Sequence, residues 1–212
     1  MMTIDSARHW NDVWDGKRHE ETSWFQPAPA TSLAMLDDVG VGSDDIVIEV
    51  GCGASYLADQ LLDRGVAQLH LLDISSAALA KLRARLDLRP EPAPVTWHRV
   101  DILDLDPVPQ VSVWHDRAVL HFLRDPAARG VYARIAARAV RPGGHLVVSG
   151  FAPDGPARCS DLEVQRADEQ AIGDLFATDF DLVDGRREMH RTPWGSEQSF
   201  QWCLLRRRDV ED

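Results

Sequence analysis

The chain has only three cysteines, Cys52, Cys159 and Cys203, and none stands at the close Cys/His spacing that holds zinc. An odd set so widely separated also excludes a secreted disulfide framework, so a reducing cytoplasmic setting is expected. No apolar stretch approaches the ~20 residues that cross a bilayer. The first ten residues, MMTIDSARHW, have no apolar run behind a basic start, so neither export nor membrane insertion is expected. Basic residues are in deficit as well. Lys and Arg number 23 against 34 acidic residues, a formal charge of -11, which repels a nucleic-acid backbone at long range. The one basic run, Arg206-Arg207-Arg208, reads as a solvated chain end. Internal repeats and low-complexity tracts are missing too, and 212 residues suit one α/β domain better than two.

What is present is a rhythm. Asp45 to Val50 is a short β-branched run that stops at Gly51, as a buried parallel strand does. Leu57, Ala58, Leu61 and Leu62 then recur at helical spacing, and Gly65 offers a C-cap. Gln68 to Leu72 reads as a second strand ending at Asp73, and Ser75 or Ser76 can cap a helix through Leu86. Val95 to Val100 and Val111 to His115 read as further strands, and a helix is expected from about Asp125 to Val140. Arg141-Pro142-Gly143-Gly144 breaks that helix before a fifth strand, His145 to Ser149. Such alternation argues for a parallel sheet covered on both faces. The rhythm changes at the end. Phe180 to Arg187 and Gln198 to Leu205 flank a loop containing Thr192-Pro193-Trp194-Gly195, with no room for a crossover helix, so they pair antiparallel if they pair directly.

In a doubly wound sheet, ligands bind beyond the carboxyl ends of the strands, so the first strand-to-helix turn, Glu49-Val50-Gly51-Cys52-Gly53-Ala54-Ser55, matters most. Two glycines one residue apart let backbone approach a ligand without Cβ atoms in the way. A dinucleotide fingerprint needs a third small residue where this chain has Tyr56, which opposes that reading. Asp73, 22 residues beyond Gly51, suits the hydroxyls of an adenosyl ribose. Asp101 with Ile102 follows the third strand, where an acceptor and an apolar side chain suit an adenine ring.

This set resembles class I, Rossmann-like S-adenosylmethionine-dependent methyltransferases, whose first motif Glu49, Gly51 and Gly53 match while Ser55 replaces the last glycine. Pro142-Gly143-Gly144 resembles the turn before their fifth strand. Glu21-Thr22-Ser23-Trp24-Phe25-Gln26 and Trp114-His115-Asp116-Arg117-Ala118-Val119 resemble a bacterial branch of small members whose acceptors are mostly unassigned. The resemblance implies a doubly wound α/β fold with a seven-stranded, mostly parallel sheet, last strand antiparallel, and helices on both faces. It implies one domain over 1–212, with an N-terminal helical lid over 1–42 and a core over 43–212. It also implies S-adenosylmethionine as cofactor, S-adenosylhomocysteine as product, and no metal. Glu49, Gly51, Cys52, Gly53, Asp73, Ile74, Asp101 and Ile102 would hold the cofactor, with His115 and Trp24 beside them.

Methyl transfer from a sulfonium needs orientation and desolvation first, and a base only when the acceptor carries a proton. His115 and His121 are the candidate bases, with Asp116 to orient one of them. Trp10, Trp14, Trp24 and Phe25 crowd the N-terminal segment, which suits a lid or ordinary packing on the sheet. The loop Phe151 to Cys159, together with Arg191 and Trp194, is expected to complete an acceptor pocket, and Arg117, Arg158 and Arg191 are candidate carboxylate ligands. The expected function is methylation of oxygen, sulfur or nitrogen on a small molecule. The alternatives are methylation of a protein side chain and non-catalytic cofactor binding. The absence of an Asn-Pro-Pro-Tyr or Asp-Pro-Pro-Tyr string after the fourth strand gives no support to methylation of DNA bases.

Overall fold

A computed structural model describes residues 6–209, so the five residues at the start of the expected lid lie outside the described part. The chain opens with α1 (Ser6–Asp15) and α2 (Ala30–Asp38), and then alternates β1 (Ile46–Val50), α3 (Leu57–Asp63), β2 (Gln68–Asp73), α4 (Ser76–Leu86) and β3 (Val95–Arg99). It continues through β4 (Val111–Arg117), α5 (Pro126–Ala139) and β5 (Val140–Phe151) to a two-residue hairpin, β6 (Arg158–Cys159) and β7 (Leu162–Glu163). Then come α6 (Glu169–Phe176), β8 (Phe180–Arg191) and β9 (Glu197–Arg207).

Seven strands form one sheet in the order β3-β2-β1-β4-β5-β9-β8. Neighbours from β3 to β5 pair parallel, and β9 runs antiparallel to both β5 and β8. The expected doubly wound sheet with an antiparallel last strand is therefore the observed one. Strand order reverses between β1 and β4, which opens a crevice at their carboxyl ends.

The alternation of β-strand side chains separates two cores. Val47, Leu69, Leu71, Val113, Val147 and Trp202 pack with Met35 and Leu36 of α2, Leu57 and Leu61 of α3, and Leu82 of α4. On the other face Ile48, Val50, Trp114, Leu146 and Val148 pack with Tyr132 and Ile135 of α5 and Phe176 of α6. Helices therefore cover both faces, as parallel strands require.

Three boundaries differ from the sequence reading. β4 runs two residues past His115, so Asp116 and Arg117 belong to the strand. β5 begins at Val140 and carries the Arg141–Gly144 turn within it, because the register jumps from Val111↔Val140 to Val113↔His145 and Gly143 takes φ +74°. β8 and β9 extend to Arg191 and from Glu197, making a longer hairpin than the apolar runs alone indicated. Among the described residues, no helix is long and apolar enough to cross a membrane.

Candidate functional site

A cavity of about 630 Å³ opens at the carboxyl ends of β1 and β4 and is lined by Glu49, Gly51, Cys52, Gly53, Asp73, Ile74, Asp101 and Ile102. Its size falls in the ordinary range for a small-molecule site. The three acidic residues come from β1, from β2 and from the turn after β3, and the fold brings them to one wall.

Local hydrogen bonds explain the shape of the glycine turn. Asp73 accepts the Gly53 N–H at 2.8 Å on Oδ2 and the Ser75 N–H at 2.8 Å on Oδ1. Of Ser75 and Ser76, the two expected helix caps, Ser75 is the one used: its hydroxyl accepts the Ala78 N–H at 3.1 Å. Asp73 thus locks the turn to the end of β2, and each oxygen retains a second lone pair for a ligand hydroxyl. Burial pushes its pKa up to about 6, against the pull of the Ser75 and Gly53 N–H groups. Asp101 caps a 3-10 turn at Ile102–Asp104 by accepting the Leu103 N–H at 3.0 Å on Oδ1, and Ile102 is buried beside it.

Glu49 is the least satisfied of the three. The Ser55 hydroxyl donates to its Oε1 at 2.5 Å, while Oε2 is buried without a partner. Burial pushes its pKa up to about 8, opposed by the Ser55 hydrogen bond and the charge of Arg85. A carboxyl raised this way binds a proton in the folded state that it releases when unfolded, so its contribution to stability falls as pH rises from about 4.5 to 8. Between pH 6.5 and 8, the wild type is expected to lose on the order of 1–2 kcal/mol relative to Glu49→Gln. Denaturant titrations of both proteins at the two pH values check this, and parallel responses would refute it.

Two residues that pattern reading passed over hold the turn in place. Arg85 of α4 donates to the Ala54 carbonyl at 2.8 Å and to the Ser55 carbonyl, pairs with Asp59 at 2.7 Å, and stacks over Tyr56 at 4.4 Å. Tyr56, the residue that disfavoured a dinucleotide fingerprint, is thus part of the scaffold. Asn11 of α1 accepts the Ser75 hydroxyl at 2.9 Å and the Ala77 N–H at 3.1 Å, which docks α1 on the start of α4. Above the turn, the Trp14 ring lies where a Cβ on Gly53 would stand, 2.7 Å away. Trp24 meets Trp14 and Trp10 edge to face, and Trp10 meets Phe122 likewise. The first helix and the Trp24 segment therefore form an aromatic wall of the cavity.

The β4 residues divide by strand alternation. His115 and Arg117 face the cavity, whereas Asp116 faces α5. The expectation that Asp116 orients a histidine is corrected here: its carboxylate accepts the Val119 N–H at 2.7 Å, the Leu120 N–H at 3.0 Å and the Tyr132 hydroxyl at 2.5 Å. His115 Nε2 meets the Ser32 hydroxyl at 3.0 Å, and its Nδ1 is buried and unpaired. His121 Nδ1 accepts the Phe151 N–H at 3.4 Å, which leaves Nε2 as an unmet donor. Burial, with the charge of Arg117 second, pushes both histidines down to about 3. Both are neutral at physiological pH and are weak bases in this arrangement.

Arg117 is a half-buried cation, and the desolvation of its guanidinium lowers its pKa. Nη1 donates to the Trp24 carbonyl at 2.9 Å, while Nε and Nη2 have no partner. An unmet buried donor costs roughly 1–3 kcal/mol, and more when it belongs to a charged group. Arg158 and Cys159, from the loop after β5, also line the cavity, as expected. Arg191 and Trp194 do not line it: Arg191 pairs with Glu197 at 3.3 Å on the exposed β8–β9 hairpin, and Trp194 is 60% exposed at its tip.

Residues 48–146 match the family model described as a methyltransferase domain. No curated protein matches the chain. Among solved structures, it is similar to a 1,6-didemethyltoxoflavin-N1-methyltransferase from Burkholderia thailandensis, solved with bound 1,6-didemethyltoxoflavin and S-adenosylhomocysteine. The TM-score is 0.69 at 20% identity, covering 97% of this chain and 85% of that one. The N-methyltransferase NodS from Bradyrhizobium japonicum WM9, in complex with S-adenosylhomocysteine, gives a TM-score of 0.67 at 17% identity, covering 97% and 93%. A protein solved in work on conversion of a disulfide bond into a thioacetal group during echinomycin biosynthesis gives 0.77 at 20%, covering 97% and 94%. At these identities the structural likeness establishes a shared fold.

Proposed function

We propose, from a chain whose residues 48–146 match a methyltransferase domain, that it is a class I S-adenosylmethionine-dependent methyltransferase acting on oxygen, sulfur or nitrogen of a small molecule. The observation that carries the reading is the conjunction of the open glycine turn with three acidic side chains from successive strands on one cavity wall. The fit extends to chemistry. Glu49 Oε2 lacks a donor, Asp73 has lone pairs to spare for ribose hydroxyls, and Asp101 with Ile102 offers an acceptor beside an apolar surface.

When bound, S-adenosylmethionine supplies a methyl group that passes to the acceptor's lone pair as the carbon–sulfur bonding pair returns to sulfur, leaving S-adenosylhomocysteine. The chain's own residues bind, orient and exclude water. Glu49, Gly51, Cys52, Gly53 and Ile74 hold the cofactor from the turn side, with Trp24 and His115 at its margin. The wall of Trp10, Trp14 and Trp24 acts as a lid belonging to the same single domain. His115 and His121 contact the acceptor, and a proton on the acceptor leaves through His115 Nδ1, because His121 already accepts at Nδ1 and carries its proton on Nε2. A cavity of this size under an aromatic wall favours a small molecule over a protein segment, and one structural neighbour was solved with a small molecule bound.

Calorimetry with S-adenosylhomocysteine is expected to show saturable binding. Incubation of the protein with methyl-labelled S-adenosylmethionine and cell extract is expected to place label in the small-molecule fraction. Label in protein would favour side-chain methylation. Binding without any transfer would leave only the non-catalytic reading.

A further inference from the structure

We infer, resting on the methyltransferase reading above, that the methyl acceptor is a carboxylic acid whose carboxylate is received by Arg117, and that the methylated atom lies elsewhere in the same molecule. Arg117 ends β4 two residues after His115, so both side chains stand on one face of the sheet and line the cavity. The residue keeps partial contact with the cavity, yet its Nε and Nη2 atoms are sealed and unpaired. Those two nitrogens form one edge of the guanidinium, the edge that takes both oxygens of a carboxylate side by side. The opposite nitrogen, Nη1, is tied to the Trp24 carbonyl at 2.9 Å, and the guanidinium lies over the Phe200 ring at 5.0 Å. The plane is thereby fixed before a ligand arrives.

Among the described residues, no carboxylate lies within salt-bridge distance of Arg117. Glu188, whose charge acts on it, accepts instead from Gln26 Nε2 at 2.8 Å and Trp202 Nε1 at 2.6 Å. Other unmet donors share its surroundings. Ser149, the register partner of Arg117 on β5, has a buried hydroxyl without a partner, and the Nε2 of His121 lacks an acceptor. Donors with no acceptor, gathered about a fixed cation, match an anion and not a neutral ligand.

A carboxylate neutralised by a guanidinium is a poor nucleophile, which is why the methyl goes to another atom. Arg117 also contributes to holding His115 and His121 neutral, so an anion beside it makes His115, whose Nδ1 is unpaired, a better proton acceptor. Access to the sealed edge requires the Ser23–Gln26 segment to lift, which releases the Trp24 carbonyl from Nη1 and leaves the Phe200 ring to hold the guanidinium plane.

The test uses the whole chain loaded with S-adenosylhomocysteine, titrated with benzoate against benzamide, acetate against acetamide, and inorganic phosphate, and read by tryptophan fluorescence and calorimetry. At least one carboxylate is expected to bind saturably and at least tenfold tighter than its amide. Arg117→Lys should weaken that binding at least tenfold, and Arg117→Gln should abolish the preference for acid over amide. Both variants should retain S-adenosylhomocysteine affinity within threefold, a readout that also reports folding. Equal binding of acid and amide, no binding of either acid, tighter binding of phosphate, or folded variants that keep carboxylate affinity would each overturn the proposal. The acid-to-amide comparison in the wild type decides the question even if a variant fails to fold. Failure of the wild type to bind S-adenosylhomocysteine would instead overturn the methyltransferase reading beneath it.

Discussion

Gly51→Ala is expected to weaken S-adenosylhomocysteine binding by roughly a hundredfold and to destabilise the fold by about 2–5 kcal/mol. Two costs add at this position. Gly51 holds φ +63°, where a Cβ crowds the following carbonyl by about 1–2 kcal/mol. The added carbon would also stand 2.1 Å from Cγ2 of Val119, far inside contact distance. Val119 is β-branched and stiff, and it packs against the α5-side core, so it yields poorly. Overpacking of this kind costs about 1–3 kcal/mol.

Relief is available only by moving the turn, and the turn is the cavity wall. Whatever strain the free protein sheds by shifting Gly51 must be restored when the ligand reimposes the original path, and about 2.8 kcal/mol of it equals two factors of ten in affinity. Gly65→Ala is the control. It shares the positive φ, +73°, but a Cβ there meets nothing within 4 Å and the residue lies outside the cavity. It should lose about 1–2 kcal/mol of stability and leave binding within threefold. Thermal melts and calorimetry on both variants check the pair; a Gly51→Ala protein that melts and binds like the wild type would show that the turn does not cradle the ligand.

The parts of the site legible in the sequence are those whose cause is local. Glycines that bring backbone close, a strand ending in Asp73, and an Asp-Ile pair after a strand are short patterns, and the fold only had to bring them together. Arg85 and Asn11 were illegible for the opposite reason. Arg85 grips the turn from about 30 residues away and Asn11 docks on α4 from more than 60, and nothing in a helix's own pattern marks which polar side chain will do so. The fold shows the same division. A parallel sheet covered on both faces follows from alternation, while the Arg141–Gly144 bulge inside β5 depends on the neighbouring β4 and its register. Arg117 could be proposed from sequence as a carboxylate ligand, but its lack of an ion-pair partner among the described residues is a fact of packing. Asp116 is the instructive miss. Adjacent residues on a strand point to opposite faces, so once β4 is extended past His115, Asp116 cannot serve the histidine before it.

At position 116 an orienting carboxylate and a structural one would fail differently when removed. Asp116 straps the turn after β4. It receives two consecutive backbone N–H groups, from Val119 and Leu120, across Ala118, which sits at φ +75°. It also receives the hydroxyl of Tyr132, which in turn accepts the Trp114 indole N–H at 3.0 Å. Burial raises Asp116 to about 6, so the carboxylate is ionised at neutral pH and is held by donors alone. Asp116→Ala strands three buried donors and releases a left-handed alanine; at roughly 1–3 kcal/mol per unmet donor, offset in part by removing a carboxylate that burial penalises, it is expected to cost about 3–5 kcal/mol. In a chain of this size that lowers the melting temperature by about 6–20 °C. Asp116→Asn should recover only part of the loss, because its amide nitrogen must face at least one N–H donor. Tyr132→Phe should cost less than Asp116→Ala, and the double variant less than the sum, as residues in one network do. A melting temperature within 2 °C of the wild type for Asp116→Ala, coupled to loss of methyl transfer, would return Asp116 to the catalytic side of the strand. A large loss of stability, with S-adenosylhomocysteine still bound by the molecules that remain folded, would place it in the scaffold that aims β4 at the cavity.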